Sequence, residues 1–209
     1  MAANPKQLER TPRGQGELLR ERLIDAALAL LDDGAAPSEV SIRGVTREAG
    51  VSPTAFYLHF ASRGELMRAC VERVFSDFRT RTHAAASRGG DPRTRLINAG
   101  VAYIAFAREQ PERYGLIFAS DWIEEGVKGE PEDTIEIAAA AFTDLVELVS
   151  TYPGSDERSL DPDTLALGIW SGMHGFVTLC HANPAMAAPS AEEYATLLTD
   201  AWLGSPRGE

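Results

Sequence analysis

The side chains with which this chain could perform catalysis or hold a metal ion are few. Its imidazoles and thiols are His59, His83, His174, His181, Cys70 and Cys180. A di-iron helical bundle needs Glu-x-x-His elements, and no histidine here has a glutamate three residues before it. A zinc site near His174 would need further ligands, because the adjacent Cys180 and His181 point to different sides of a helix. The chain also lacks Gly-x-Ser-x-Gly, P-loop and Gly-x-Gly-x-x-Gly motifs. We therefore expect no enzyme activity, no metal site and no cofactor.

Charge is distributed unevenly along the 209 residues. The net charge is −11, from 20 lysines and arginines against 31 aspartates and glutamates. Residues 1–70 hold nine groups of each sign, so the later residues carry the whole acidic excess. A strongly acidic surface disfavours nucleic acid. The neutral first third can still approach a phosphate backbone, although two solvated charged surfaces would give the same distribution.

The composition, with 44% apolar and 24% charged residues, is typical of a globular protein. Apolar stretches such as Ala26–Leu31 and Ile137–Phe142 are far shorter than the roughly 18–20 residues that cross a bilayer. The first 20 residues lack the apolar region of a secretory signal. Two cysteines far apart in sequence favour no disulfide framework. These features predict a reducing, cytoplasmic location.

The hydrophobic pattern predicts an all-α protein of about nine helices. Apolar residues recur at the spacing of one helix face at Leu19, Leu23, Ala26, Ala27 and Leu30. Further long helices are expected over residues 62–78, 94–109, 134–150, 162–180 and 191–203, with a short one over 111–117. Residues 1–16 contain prolines and glycines without an apolar period, which is typical of a flexible arm.

The segment Val40–Phe60 predicts two short helices joined by a tight turn. Ser41 is a good N-cap for the first helix, and Gly50 can adopt the positive φ that ends it. Ser52 caps the second helix, in which Pro53 takes the first position, where a missing amide costs nothing. Apolar side chains would pack both helices against the first long helix: Val45, Ala49, Val51, Phe56 and Phe60. This is the pattern of a helix-turn-helix, whose second helix fits the major groove of DNA.

At these residues the chain resembles the TetR family of transcriptional regulators. The matching elements are Ser41-Ile42-Arg43, Arg47–Ser52 and Phe56–Phe60, and the resemblance covers roughly residues 18–70. Trp170–Gly175 also resembles the group of this family with a late Trp-x-x-x-His-Gly element. The resemblance implies a flexible arm at residues 1–16, a helix-turn-helix domain at 17–62, and a helical ligand-binding and dimerisation domain at 63–209.

The resemblance also assigns contacts to double-stranded operator DNA. It implies that base edges are read by Arg43, Ser52, Thr54 and Ala55. It implies that phosphates are bound by Ser41, Tyr57, His59 and Arg63. For Tyr57 the competing interpretation is a core aromatic, although Phe56 and Phe60 already account for the inward face. Two such helix-turn-helix domains related by a twofold axis would read half-sites about 34 Å apart, or a small multiple of that distance.

Glycines at Gly168, Gly172 and Gly175 share one face of the helix expected over 162–180. Helix interiors avoid glycine unless another element must come close. The neighbour that approaches is expected to be a partner subunit or the last helix of the same chain. The resembled family usually builds its dimer interface from these two helices, so we predict that this stripe contributes to a homodimer.

An apolar effector pocket is the remaining expectation. Its candidate residues are Tyr103, Phe106, Phe118, Trp122, Phe142, Trp170 and His174. Each aromatic residue could equally be plain core, and His174 could satisfy a buried polar partner instead of a ligand. The resemblance implies a repressor that a small-molecule effector releases from a palindromic operator. The alternative is a helical adaptor without specific DNA binding. Three features favour this alternative: the neutral charge of residues 1–70, Gly44 inside the first short helix, and Pro53 at the start of the second.

Overall fold

The computed structural model describes residues 15–118, 132–152 and 160–204, and these segments form nine α-helices and no strand. The helices are α1 (Gln15–Asp32), α2 (Ile42–Glu48), α3 (Pro53–Phe56), α4 (Arg63–Ala86), α5 (Pro92–Glu109), α6 (Pro111–Phe118), α7 (Glu132–Ser150), α8 (Pro162–Ala182) and α9 (Ala191–Leu203). A single 3-10 turn, Pro37–Glu39, lies between α1 and α2. The expected all-α fold is confirmed. Of the expected arm, residues 1–14 lie outside the described segments, and Gln15 and Gly16 already belong to α1.

The described residues divide into two compact units, with the division after Cys70 inside α4. The core of the first unit is one face of α1, on which Leu23, Ala27 and Leu31 are buried. In the same unit Val45 of α2 and Phe56 of α3 are fully buried. The guanidinium of Arg22 donates a hydrogen bond of 2.6 Å to the carbonyl of Ala49. This bond ties the C-terminal end of α2 to α1.

The second unit is a bundle in which α5 and α8 both pack against α9, and α7 packs against α8. Part of its core is an apolar cluster formed by Leu96, Val149, Tyr152, Leu165, Ala166, Ile169 and Leu203. Arg93 of α5 forms two hydrogen bonds of 2.9 Å with the carboxylate of Asp200 of α9. This partly buried pair fixes the start of α5 against the end of α9.

Two of the three α8 glycines accommodate α9 of the same chain. A Cβ added at Gly168 would lie 2.5 Å from the indole of Trp202, and one added at Gly172 would lie 2.6 Å from Leu198. At Gly175 an added Cβ would meet nothing within 4 Å. The close approach expected at Gly168 and Gly172 is therefore present within the chain, and only Gly175 keeps open space beside it.

A methyl group at Gly168 is expected to destabilise the second unit. Because the Trp202 ring is rigid and lies within van der Waals distance, Gly168→Ala should lower the free energy of unfolding by roughly 1–3 kcal/mol. Gly115→Ala is the control, since it lies exposed in α6 with nothing within 4 Å of its Cβ. That variant should gain about 0.5–1 kcal/mol from helix propensity. Urea unfolding measures the free energy of unfolding of both variants. Equal changes in the two variants would contradict the close packing of Trp202 against Gly168.

Candidate nucleic-acid interface and effector cavity

The α2–turn–α3 segment is built by local capping. The hydroxyl oxygen of Ser41 accepts a hydrogen bond of 3.1 Å from the amide of Gly44, and that of Ser52 accepts one of 3.2 Å from Ala55. Gly50 has a φ of +66°, the left-handed conformation that ends α2 and turns the chain. The two predicted N-caps and the glycine turn are confirmed. They fix the angle between two helices too short to be stable alone.

The outer surface of this segment carries most of the residues expected to contact DNA. Ser41, Arg43, Ser52, Thr54 and Tyr57 are exposed, while Ala55 and His59 are partly exposed. The inward positions are taken by Phe56 and Phe60, both fully buried. The ring of Tyr57 is 59% exposed and touches Phe56 only edge-on, at 5.4 Å between ring centroids. Seven of the eight expected residues therefore reach the surface that a duplex could approach.

Arg63 is placed differently from the other seven. Its Nε donates a hydrogen bond of 2.6 Å to the carbonyl of Val40, and its terminal nitrogen bonds the carbonyl of Pro37. The guanidinium thus braces the turn that precedes α2. Its phosphate contact stays a prediction, and its bracing role was not visible in the sequence because its partners lie 23 and 26 residues away.

The second unit contains a cavity of about 400 Å³, within the range of small-molecule sites. Four of the expected pocket residues line it: Tyr103, Phe118, Phe142 and Trp170. Phe106 and His174 are not among the described lining residues. Phe106 is 1% exposed and packs edge-on against Phe78. Trp122 lies outside the described residues.

Further lining residues escaped the sequence analysis: Phe75, Phe78, Arg95, Tyr114 and Met173. The apolar pattern places Phe78 only at the end of the helix expected over 62–78, whereas its contact with Tyr103 joins α4 to α5 at 5.3 Å between ring centroids. Aromatic periodicity could locate these residues on helices. It could not show which faces leave space between them.

A chain of buried hydrogen bonds closes one part of the cavity wall. The hydroxyls of Tyr103 and Tyr114 lie 2.7 Å apart, and the Tyr114 hydroxyl lies 2.6 Å from Nδ1 of His174. The Trp170 side chain also lies close enough to Tyr103 to lower the pKa of its hydroxyl. Both tyrosine hydroxyls have a partner if Tyr103 donates to Tyr114 and Tyr114 donates to Nδ1 of a neutral His174. This bonding gives His174 a structural partner within the chain.

Burial sets the protonation of this network. It raises the pKa of Tyr103 to about 12 and raises that of Tyr114 as well. Burial also lowers the pKa of His174 below its ordinary value of 6.5. All three side chains are therefore held in their neutral forms at pH 7, as the hydrogen-bond directions require.

The stability of the second unit is expected to fall when the pH falls below about 6.5. Since the pKa of His174 is lower in the folded chain, the unfolded chain takes up the proton first. The stabilisation is complete above the unfolded pKa and is lost as the pH falls through the folded one. Urea unfolding from about pH 7.5 to 5 measures this loss, and His174→Gln should flatten the profile.

His181→Gln is the control for this experiment, because His181 is exposed on the same helix. The His181→Gln variant should keep the wild-type dependence of the free energy of unfolding on pH. The carboxylates of Asp91 and Asp161 have lowered pKa values through hydrogen bonds from Thr94 and Thr164, so their titration lies below this window. A His174→Gln profile as steep as that of the wild type would contradict the account.

The described parts of the chain contain neither a metal-binding cluster nor a membrane-spanning helix. No three His, Cys, Asp or Glu side chains within residues 15–118, 132–152 and 160–204 lie together as a metal site requires. None of the helices in those segments combines the length and hydropathy needed to span a membrane.

Comparisons with known proteins match both parts of the chain. Residues 23–70 match the model of bacterial regulatory proteins of the tetR family, and residues 96–202 match that of the tetracyclin repressor-like C-terminal domain. The second match covers half of the chain. A DNA-binding transcriptional regulator is the class of protein that these domains define. The chain belongs to the TetR family, and this membership indicates a regulator and not an enzyme.

Individual relatives agree with this assignment. An uncharacterized HTH-type transcriptional regulator of Mycobacterium tuberculosis is 29% identical over 78% of this chain and 70% of its own length. The HTH-type transcriptional activator FasR of Mycolicibacterium smegmatis is 31% identical over 69% of this chain and 64% of its own length. The solved structure of a protein with unknown function from Rhodococcus sp. RHA1 is 23% identical, with a TM-score of 0.73 over 95% of this chain and 97% of that one. The last likeness shows the shared fold.

Proposed function

We propose that this chain is a homodimeric repressor whose two α2–turn–α3 segments bind a palindromic operator and release it when a small molecule fills the cavity. It would act in the cytoplasm, on operator DNA. The observation that carries the proposal is the outer surface of α2 and α3. Its polar side chains are exposed, while Phe56 and Phe60 beside them in sequence are buried.

Each expected contact has a physical reason. An exposed arginine such as Arg43 can pair bidentately with guanine, and the methyl group of Ala55 can meet that of thymine. Thr54 and Ser52 lie at the exposed start of α3, the end that enters a major groove. The hydroxyls of Ser41 and Tyr57 and the imidazole of His59 would bind phosphates, which position the head without reading sequence. Arg63 braces the turn before α2, and in the proposal it stays a candidate for a phosphate contact.

A face shared by α8 and α9 supports the homodimer. At 100° per residue, Leu167, Ser171 and Gly175 lie on the side of α8 that points away from α5. Leu197 and Ala201 lie on the corresponding side of α9. We call these five residues the outer face. Leu167 is 50% exposed and Leu197 is 61% exposed, and small residues lie between them, as helix–helix packing requires.

The outer face changes the role expected for the glycine stripe. In the proposed dimer Gly175 admits the partner helix, because its Cβ position is open. Gly168 and Gly172 instead hold α9 in place within the chain, so they would shape the interface without touching the partner.

Effector control would be a shift between two populations. A ligand changes DNA affinity only if it binds one conformation more tightly than the other. Helix α4 contributes Leu66 and Met67 to the first unit, and Phe75 and Phe78 to the cavity wall in the second. A cavity that changes shape on ligand binding would therefore move a helix that also belongs to the DNA-binding unit.

Trp170 and His174 support the finer assignment to the group with a Trp-x-x-x-His-Gly element. Trp170 lines the cavity, and His174 ends the hydrogen-bond chain beside it. Both residues of the element would therefore serve the effector site.

Selection of duplexes from a random DNA pool, followed by fluorescence anisotropy of the enriched sequence, tests the proposal. A regulator should bind one inverted repeat with an affinity that falls steeply as salt increases. An adaptor should enrich no sequence. A reporter gene behind the selected repeat then gives the direction of control, because a repressor lowers expression whereas an activator, as FasR is named, raises it.

A further inference from the structure

The cavity wall contains one permanently charged cation among the described residues, Arg95. It lies in the first turn of α5, and its stem packs against the turn after α4, where a Cβ at Gly89 would approach Arg95 Cγ to 2.7 Å. In the described part of the chain no carboxylate or carbonyl lies within bonding distance of its guanidinium. Arg95 is partly buried as a residue, and a guanidinium without a protein acceptor favours an anion beside it.

The acidic residues of the wall do not supply that anion. Asp144 is already paired with Arg79 through hydrogen bonds of 2.7 and 3.0 Å. Glu147 is exposed on α7, where solvent screens its charge. With one cation and one screened anion in the wall, a singly charged ligand is favoured over a doubly charged one such as a phosphate.

The rest of the cavity is suited to an apolar body. Its wall contains the rings of Phe78, Phe118, Phe142 and Trp170. The hydroxyls of Tyr103 and Tyr114 are already bonded to each other, and the chain ends on His174. Neither of these two hydroxyls is therefore free to donate to a second polar group on a ligand.

We infer that the cavity binds a carboxylic acid with a large apolar body, whose carboxylate pairs with Arg95 while the body lies among the aromatic side chains. The planar guanidinium matches a carboxylate through two parallel hydrogen bonds. This inference rests on the proposed role of the cavity as the effector site and names the chemical class of the effector.

Calorimetric titration of the full chain with dodecanoic acid, dodecan-1-ol and methyl dodecanoate tests the inference. The acid should bind at least about tenfold more tightly than the alcohol or the ester, because a hydrogen bond to a charged group contributes more than a neutral one. Arg95→Gln should remove this preference and leave alcohol binding unchanged. Arg88→Gln, an exposed arginine outside the lining, should behave as the wild type, and Arg95→Lys should keep part of the preference.

Equal affinity for acid and alcohol in the wild type, no binding of the acid, or an unchanged preference in Arg95→Gln would each overturn the inference. Operator binding by the same samples separates the two proposals. A chain that binds its operator but not the acid keeps the proposed function and loses this inference. A chain that binds the acid but enriches no DNA sequence loses the proposed function while the acid site stands.

Discussion

Arg43→Ala is expected to lower operator affinity by about a hundredfold or more. A bidentate arginine–guanine pair contributes roughly 1–3 kcal/mol of discrimination, and a twofold complex loses two such pairs. The side chain is exposed on α2, so its removal leaves the core of the first unit intact. Fluorescence anisotropy with the selected duplex measures the loss.

The loss should be specific to one base pair in each half-site. With duplexes altered at the guanine position, Arg43→Ala should discriminate less than the wild type, whereas a lost phosphate contact would weaken all duplexes equally. Arg88→Ala is the matched control, because Arg88 is exposed in the second unit. An equal loss of operator affinity in both variants would mean that only the net charge of the chain affects binding. Arg43 would then not be a base contact.

Leu197→Glu is expected to separate the dimer. The substitution places two carboxylates across the twofold axis in the proposed outer face, and like charges brought together in an interface cost several kcal/mol. The dimer dissociation constant should rise by more than about a hundredfold. Operator affinity should fall with it, since linked heads gain about 10²–10⁴ in avidity over single ones. Sedimentation velocity over a concentration series measures the oligomeric state.

Leu18→Glu provides the control for the dimer experiment. Leu18 is 66% exposed on α1 in the first unit, so the same change there should leave the dimer intact. Because Leu197 is exposed, the variant should also fold, which circular dichroism checks. A Leu197→Glu chain that sediments as the wild-type dimer would show that the outer face is not the interface.

The features that could be predicted from the sequence are those governed by local interactions. The N-caps at Ser41 and Ser52 bond an amide three residues later, so residue type and spacing reveal them. The positive φ of Gly50 follows from the same short-range signals. Helix periodicity is also local, which is why α9 was predicted with its observed bounds.

The end of α4 shows where local reasoning stops. The apolar spacing of this helix could be followed only as far as Phe78, with a loop expected from Ser87, and the structure shows that residues 79–86 also belong to α4. Arg79 in this stretch pairs with Asp144, which lies 65 residues further along the chain. Tertiary contacts of this kind stabilise the part of a helix that its own apolar pattern does not cover.

The same limit applies to the candidate sites. The sequence could show that Gly168 and Gly172 need a close neighbour, but not that the neighbour is Trp202 or Leu198. It proposed His174 as a pocket residue without showing its bond to Tyr114, 60 residues earlier. The exposure of the polar residues on α2 and α3 could be predicted, because the alternation of inward aromatic and outward polar residues is a local pattern.

Hydroxyl-radical footprinting of the chain on its selected duplex is the most direct test of the central claim, that two α2–turn–α3 segments bind one duplex symmetrically. We expect two equal protected patches related by a dyad, with centres about 34 Å apart or a small multiple of that distance. We also expect Arg43→Ala to weaken both patches equally. A single asymmetric patch, or protection that does not depend on the residues of α2 and α3, would contradict it.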